Sequence, residues 1–120
     1  MEFQILSNFI GKCLRKNDIF IPSMILYLIK NNGEGSVEQI SRLLYIFDFK
    51  HDISYYDTIV KKFSAVMLKE YNIIEETRED FYRLKTWPLT DEEIEKITKE
   101  CMIISNGFFS HLKNREEIRG

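Results

Sequence analysis

The spacing of the apolar residues changes at Asn72, and this change constrains the fold more than any other feature of the chain. Before Asn72, apolar residues recur every three or four positions, which is the pattern of amphipathic helices. After it come two short apolar stretches separated by a polar turn, and helical spacing returns near residue 90. The sequence therefore predicts a mainly α fold that contains one small β-hairpin.

Three helices are predicted in the first part of the chain. The first covers residues 3–14, and the second begins at Pro22, whose fixed φ suits the first position of a helix. The second is apolar nearly all round, which predicts that it is the buried centre of the fold. Residues 31–35, Asn-Asn-Gly-Glu-Gly, end it, and Ser36 with Gln39 forms a capping box that starts the third helix.

A long fourth helix is predicted over residues 54–70. Residues 48–53 break the helical pattern, and Ser54 and Asp57 then supply the cap. The residues expected on its inner face are Tyr55, Ile59, Phe63, Val66 and Met67.

The hairpin and a last helix complete the pattern. Ile73 and Ile74 form one short strand, residues 75–80 form a polar turn, and residues 81–84 form the second strand. Thr90 with Glu93 makes another capping box. The apolar face of the helix that follows comprises Ile94, Ile97, Cys101, Ile104 and Phe108.

These elements predict one domain with a winged helix-turn-helix fold. A chain of 120 residues with 44% hydrophobic content is long enough for a single core. We expect about five helices and a two-stranded β-hairpin wing within residues 1–113, with flanking N- and C-terminal helices. The charged residues 114–120 are expected to form a frayed tail.

In this arrangement the helix over residues 36–47 supports the helix over 54–70, whose outward side would face the major groove of DNA. The lysines of this side are candidate phosphate or base-edge contacts. We interpret Tyr55 as a core residue, and Tyr56 as a side chain that stacks on a base or packs on a partner. The predicted DNA-binding residues are Ser54, Tyr56, Thr58, Lys61 and Lys62 on the reading helix, Arg78 on the wing, and Arg42 and Lys50 beside the supporting helix.

The charge distribution favours nucleic-acid binding in one part of the chain and disfavours it in another. Residues 1–69 hold nine Lys/Arg and seven Asp/Glu, a net charge of +2, whereas residues 70–120 hold eight and twelve, a net charge of −4. A phosphate-facing surface is therefore expected in the first part of the chain. The acidic residues near the hairpin turn indicate that the wing serves structure more than contact.

No pattern of residues indicates catalysis, a metal or a cofactor. Cys13 and Cys101 lie far apart without partners at ligand spacing, and His51 and His111 are isolated as well. We therefore expect no catalytic residues, no metal site and no cofactor, and no enzymatic activity of the chain by itself. The N-terminus lacks the cationic region of a signal peptide and no apolar run is long enough to span a membrane, which predicts a cytoplasmic location.

Three stretches resemble a known family. Residues 21–44, residues 55–62 with their Tyr-Tyr pair, and the strands at 73–75 and 81–84 resemble the N-terminal winged-helix domains of restriction-type endonucleases of the HNH class. The resemblance covers most of residues 19–105 and consists of apolar positions more than of fixed chemistry. It implies a module that places a nuclease on DNA, reading either a sequence or a modified base.

Nuclease activity is not implied by this resemblance. The longer members continue into a histidine-rich ββα-metal segment that does not follow Gly120, so we expect either an excised domain or a stand-alone relative.

Two functions from different classes remain open at this point. The first is double-stranded DNA binding, with a fused or associated nuclease as partner. The alternative is a protein-interaction or dimerisation module with the same fold and no nucleic acid, which the net charge of −2 favours. A homodimer through the terminal helices would be compatible with both functions, and a regulatory enzyme subunit is a third reading.

Overall fold

Helices make up most of the protein, and a small antiparallel sheet lies beside them. The computed structural model describes residues 2–13 and 19–104. In chain order the elements are α1 (Glu2–Cys13), α2 (Phe20–Lys30), β1 (Glu34–Ser36), α3 (Val37–Asp48), α4 (Ile53–Ile59), a π-helical segment (Val60–Ser64), α5 (Ala65–Glu70), β2 (Ile74–Arg78) and β3 (Phe81–Leu84). A last helix, α6, covers residues 91–104. The prediction of a mainly α winged helix-turn-helix is confirmed.

The sheet has three strands, one more than the sequence predicts. Its order is β1-β3-β2, and both neighbouring pairs are antiparallel. The hairpin of β2 and β3 forms the wing, with Glu79 and Asp80 at its turn and a bulge between Glu76 and Arg78. The first strand, β1, pairs with β3. Because β1 lies between α2 and α3 in the chain, this pairing joins the wing to those two helices.

The core lies between α2 and the elements that surround it. Met24, Ile25 and Leu28 of α2 are fully buried, as expected for the central helix. Leu6 and Ile10 of α1 pack into the same cluster. Further members come from α3, α5, the sheet and α6: Val37, Ile40, Leu44, Leu68, Ile73, Ile74, Leu84, Ile97 and Cys101.

Two glycines allow the chain to pass from α2 into β1. Gly33 has a φ of +88°, and a Cβ atom there would collide with the ring of Trp87. A Cβ atom on Gly35, the middle residue of β1, would lie 2.7 Å from Cε2 of Tyr27. Both positions therefore need glycine, one for its conformation and both for the close approach of an aromatic ring.

Two predicted capping boxes are confirmed. The Ser36 hydroxyl accepts a hydrogen bond from the Gln39 N–H at 3.1 Å, and the Gln39 side chain accepts from the Ser36 N–H at the same distance. At the start of α6, the Glu93 N–H donates to the Thr90 hydroxyl at 3.2 Å and the Thr90 N–H donates to the Glu93 carboxylate at 2.9 Å. These reciprocal bonds satisfy backbone donors that the first helical turn leaves open.

The predicted cap of the long helix is wrong. Its N-cap is Asp52, whose carboxylate accepts from the Tyr55 N–H, and the Ser54 hydroxyl donates to that same carboxylate at 2.7 Å. These two hydrogen bonds lower the pKa of Asp52. The helix consequently begins at Ile53, and Ser54 lies in its first turn.

The predicted inner face of the long helix is wrong at three of its five residues, because only Ile59 and Met67 are partly buried. We call Ile53–Glu70, which joins α4, the π-helical segment and α5, the rod. Buried residues recur every four positions, at Tyr56, Val60, Ser64 and Leu68, and Ala65 beside Ser64 is buried as well. A pure α-helix turns about 100° per residue and would rotate this series by about 120° over its length. The π-helical segment has more residues per turn and absorbs that rotation, so Tyr55, Phe63 and Val66 are exposed.

Some predictions concern residues outside the described part of the chain. The contribution of Phe108 to the last helix, the end of that helix near residues 105–107, and the tail at residues 114–120 all lie there. Within residues 2–13 and 19–104, no helix combines the length and the apolar character needed to cross a membrane.

Candidate nucleic-acid interface

The start of the rod is attached to the helix-turn-helix turn by a buried tyrosine. The Tyr56 hydroxyl donates to the Asp48 carboxylate at 2.8 Å and accepts from the Lys50 N–H at 3.2 Å and the His51 N–H at 3.4 Å. Burial, and then the hydrogen bond to Asp48, raises the pKa of Tyr56 to about 12. The prediction that Tyr56 contacts DNA or a partner is wrong, because its side chain is fully buried and positions the turn.

The outward side of the rod begins with two small hydroxyl residues. Ser54 and Thr58 are both exposed, one helical turn apart, and Thr58 donates to the Ser54 carbonyl oxygen at 3.1 Å. Tyr55 flanks them instead of entering the core, and its ring stacks on His51 with 3.9 Å between centroids. This side therefore presents hydroxyl oxygens and one aromatic edge to a ligand bound at the first two turns of the rod.

A groove lies between the start of α3, the rod and the wing tip, and we call it the wing groove. Its volume is about 680 Å³. Three predicted cations, Arg42, Lys61 and Arg78, come to it from three different elements. Four carboxylates line it as well: Glu38, Asp57, Glu79 and Asp80. The groove is thus rich in charge of both signs.

Each cation of the wing groove has an exposed partner or a ring beneath it. Arg42 pairs with Glu38 at 2.8 Å, and both side chains are about 70% exposed. Lys61 pairs with Asp80 at 3.3 Å, with nearly half of each side chain exposed. The Arg78 guanidinium lies 4.1 Å from the centroid of the Phe81 ring. Exposed ion pairs contribute only about 0–1 kcal/mol, so these cations can exchange their partners at low cost.

The wing tip is fixed to both helices of the motif. The Asp80 carbonyl oxygen accepts from the Val37 N–H at 2.9 Å, at the start of α3. The Asp80 N–H donates to Glu76 at 3.1 Å, and Glu76 in turn pairs with Lys69 of the rod at 3.2 Å. The bond from Asp80, followed by the pairing with Lys69, lowers the pKa of Glu76. The wing therefore stands in a defined position beside the rod.

Lys61 and Lys62 do not share one groove. Lys61 lines the wing groove, whereas Lys62 lines a second groove on another side of the rod. We call this second one the apolar groove; its volume is about 380 Å³. Its lining residues are Phe20, Ile21, Ile59, Lys62, Phe63, Ser64, Val66, Met67 and Glu70.

The structure brings together part of the predicted set. Arg42, Lys61 and Arg78 meet in the wing groove, and the exposed Ser54 and Thr58 lie on the outward side of the rod. Lys50 is exposed in the turn between α3 and the rod, and does not line the wing groove. The sequence does not identify Asp80 as the partner of Lys61. That contact depends on the position of the wing tip, which the hydrogen bond from Val37 to Asp80 and the pairing of β1 with β3 determine.

No metal centre is found in the described part of the chain, where no three His, Cys, Asp or Glu side chains group as ligands.

Comparisons of the chain with protein-family models, with curated proteins and with solved structures find no match.

Proposed function

We propose that the protein binds double-stranded DNA and brings a nuclease, fused or associated, to its target. The first two turns of the rod would enter the major groove, where Ser54 and Thr58 face the base edges. Arg42, Lys61 and Arg78 would contact backbone phosphates on the wing side, and Lys62 and Lys50 would lie at the margins of the contact. The chain itself contributes binding and no catalysis.

The observation that supports this proposal most is the meeting of three cations in the wing groove. They come from three separate elements, α3, the rod and the wing, which are adjacent in a winged helix-turn-helix. In such a fold, the supporting helix and the wing flank the helix that reads the groove, which here is the rod. The resemblance to endonuclease winged-helix domains supports the same function, and DNA binding agrees with the cytoplasmic location that the sequence predicts.

The carboxylates of the wing groove set the expected strength of binding. Arg42 and Lys61 must each leave an exposed carboxylate before they contact a phosphate, so the gain from those two contacts is small. With three phosphate contacts, the logarithm of the binding constant should fall with the logarithm of salt concentration with a slope of about −2.7. An increase from about 50 to about 200 mM salt should then weaken binding about 40-fold.

A binding titration tests the proposal. The wild-type chain is titrated onto mixed-sequence duplexes at the two salt concentrations, and the titration is repeated with Lys61→Glu plus Lys62→Glu. Lys12→Glu plus Lys99→Glu is the matched control, because it makes the same charge change at exposed positions of α1 and α6. We expect salt-sensitive binding that the first pair weakens by about 30-fold and the control pair largely keeps. No salt-sensitive binding by the wild type, or equal loss in both pairs, contradicts the proposal.

A second candidate function is protein binding, which one surface favours. Tyr45, Ile46 and Phe49, at the end of α3 and in the turn after it, are exposed, with Ile46 67% accessible. Exposed apolar patches of this kind occur at protein interfaces. Replacing Ile46 with Asp separates the two functions: a protein-interaction module loses its partner, whereas DNA binding through the wing groove continues.

A further inference from the structure

The apolar groove is a surface that DNA binding does not explain. Phe63 is 62% exposed and Val66 is 40% exposed, and both lie along the rod beside Ile59 and Met67. Phe20, at the start of α2, forms the other wall. Large apolar side chains left in water at neighbouring positions of one helix indicate a surface that is covered in the working protein.

Two opposite charges lie at the edges of this groove. Lys62 and Glu70 are eight positions apart on the rod, about 12 Å at the rise of a helix. Neither has an oppositely charged group within 4.0 Å among the residues that the structure describes. Val66, at the midpoint between them, also lines the groove.

We propose that the apolar groove is the docking site of a second copy of this chain. The two rods lie antiparallel across a two-fold axis near Val66, so that Lys62 of each copy faces Glu70 of the other. A two-fold interface must be self-complementary, and a positive and a negative charge placed equally far from the axis satisfy that condition. The apolar residues between the charges, led by Phe63, are buried against their symmetry mates and supply most of the affinity.

The wing groove stays open in this dimer. Lys61, Arg42 and Arg78 lie on a different side of the rod, and Ser54 is some 18 Å from Val66 along its axis. Association between copies therefore needs no DNA. A dimer would present two reading helices, which suits a DNA target with two half-sites. Only this consequence for DNA recognition rests on the proposed function.

Sedimentation of the full chain without DNA tests the dimer. We expect a concentration-dependent dimer for the wild type, and a monomer for Phe63→Asp at every concentration tested. Ile103→Asp is the control, because Ile103 is 71% exposed on α6 and lies outside the groove. Circular dichroism should show the same helix content in all three. A monomeric wild type, or a dimer that Phe63→Asp leaves intact, overturns the proposal and leaves the DNA-binding function standing.

Charge reversal tests the register. Lys62→Glu and Glu70→Lys should each raise the dissociation constant of the dimer about tenfold, because each places two pairs of like charges across the axis. The double variant exchanges the charges and should restore the affinity to within about threefold of wild type. If the double variant is as weak as the two single variants combined, the antiparallel register is wrong.

A cross-link locates the axis. In a chain with Cys13→Ser, Val66→Cys should form an intermolecular disulfide under mild oxidation, since a residue on the axis faces its own copy. Tyr45→Cys, exposed on α3 and outside the groove, is the control and should not. Equal cross-linking at both positions would contradict the proposed axis.

Discussion

The two grooves beside the rod differ in what they offer a partner. The wing groove holds three cations and four carboxylates, most of them exposed and already paired, on a frame that the sheet holds in place. The apolar groove holds large apolar side chains, with one charge of each sign near its ends. The first suits a ligand that exchanges ion pairs, and the second suits a surface that excludes water.

Two adjacent lysines of the rod belong to these separate surfaces. Lys61 pairs with Asp80 of the wing, whereas Lys62 lies beside Phe63 in the other groove. Added salt screens contacts between exposed charges and leaves apolar burial largely intact. Binding at the wing groove should therefore weaken with salt, while association through the apolar groove should persist.

The largest effect is expected from alkaline pH, which breaks both grooves at once. Burial raises the pKa of Tyr56 and of Tyr82 to about 12 each, from 10.0. The folded state thus holds these protons more tightly than the unfolded state does. The stabilisation is complete below pH 10 and is lost as the pH rises from 10 towards 12, by on the order of a few kcal/mol for the two groups together. Urea unfolding followed by circular dichroism measures the free energy of unfolding at about pH 8, below this range, at about pH 10, where it begins, and at about pH 11.5, within it. A constant free energy of unfolding at the three pH values would contradict the prediction.

The next largest effect is expected from Tyr56→Phe, which removes the bond between rod and turn. The Asp48 carboxylate, nearly buried, loses its donor, and the Lys50 and His51 N–H groups lose their acceptor. A loss of about 1–3 kcal/mol in the free energy of unfolding follows from leaving a buried polar group unsatisfied. Chemical denaturation measures it, with Tyr45→Phe as the control on an exposed ring. Equal values for the two variants would show that the hydroxyl of Tyr56 does not hold the turn.

Much of the fold follows from local sequence patterns. The capping boxes at Ser36 and Thr90 fix the starts of α3 and α6 because each needs only four consecutive residues. The apolar character of α2 predicts its central position, and the hairpin follows from the change of spacing at Asn72. These features depend on neighbours in sequence, and the structure confirms them.

The remaining features depend on contacts between distant parts of the chain. The strand β1 contains Gly35 and no apolar residue, so only its pairing with β3 identifies it. The burial of Tyr56 in place of Tyr55 depends on its hydrogen bonds to Asp48 and to the turn, which set the inner face of the rod one residue from the expected series. The π-helical segment then keeps the four-residue spacing of the buried positions along the rod, which a helical wheel that turns 100° per residue does not predict. Three of the five predicted cations therefore meet in the wing groove, whereas the predicted aromatic contact, Tyr56, is buried.

Separate reversal of the two lysines sharpens the contrast between the grooves. Lys61→Glu should weaken duplex binding about tenfold and make the salt slope about one unit shallower, since it removes a phosphate contact from the wing groove. Lys62→Glu should have a smaller effect, about threefold, because Lys62 lies at the margin of the contact. Both are measured by anisotropy in the Phe63→Asp background, which removes any contribution from self-association. A larger effect at Lys62 would move the interface to the other side of the rod.

The smallest effect is expected from Asp80→Asn, which asks whether the wing restrains its own groove. Asp80 pairs with Lys61 and places a negative charge where a DNA phosphate would lie. Removing that charge should therefore tighten duplex binding about threefold, which corresponds to the free energy of one exposed ion pair. Asn tolerates the positive φ of 58° at this position, and the bond from Val37 to the backbone carbonyl is kept, so the turn should survive. Glu79→Gln makes the same charge change in the same turn without touching Lys61 and should have the smaller effect. Equal tightening in both would reduce the role of Asp80 to its charge alone, whereas weaker binding by Asp80→Asn would mean that the carboxylate positions Lys61 for DNA instead of competing with it.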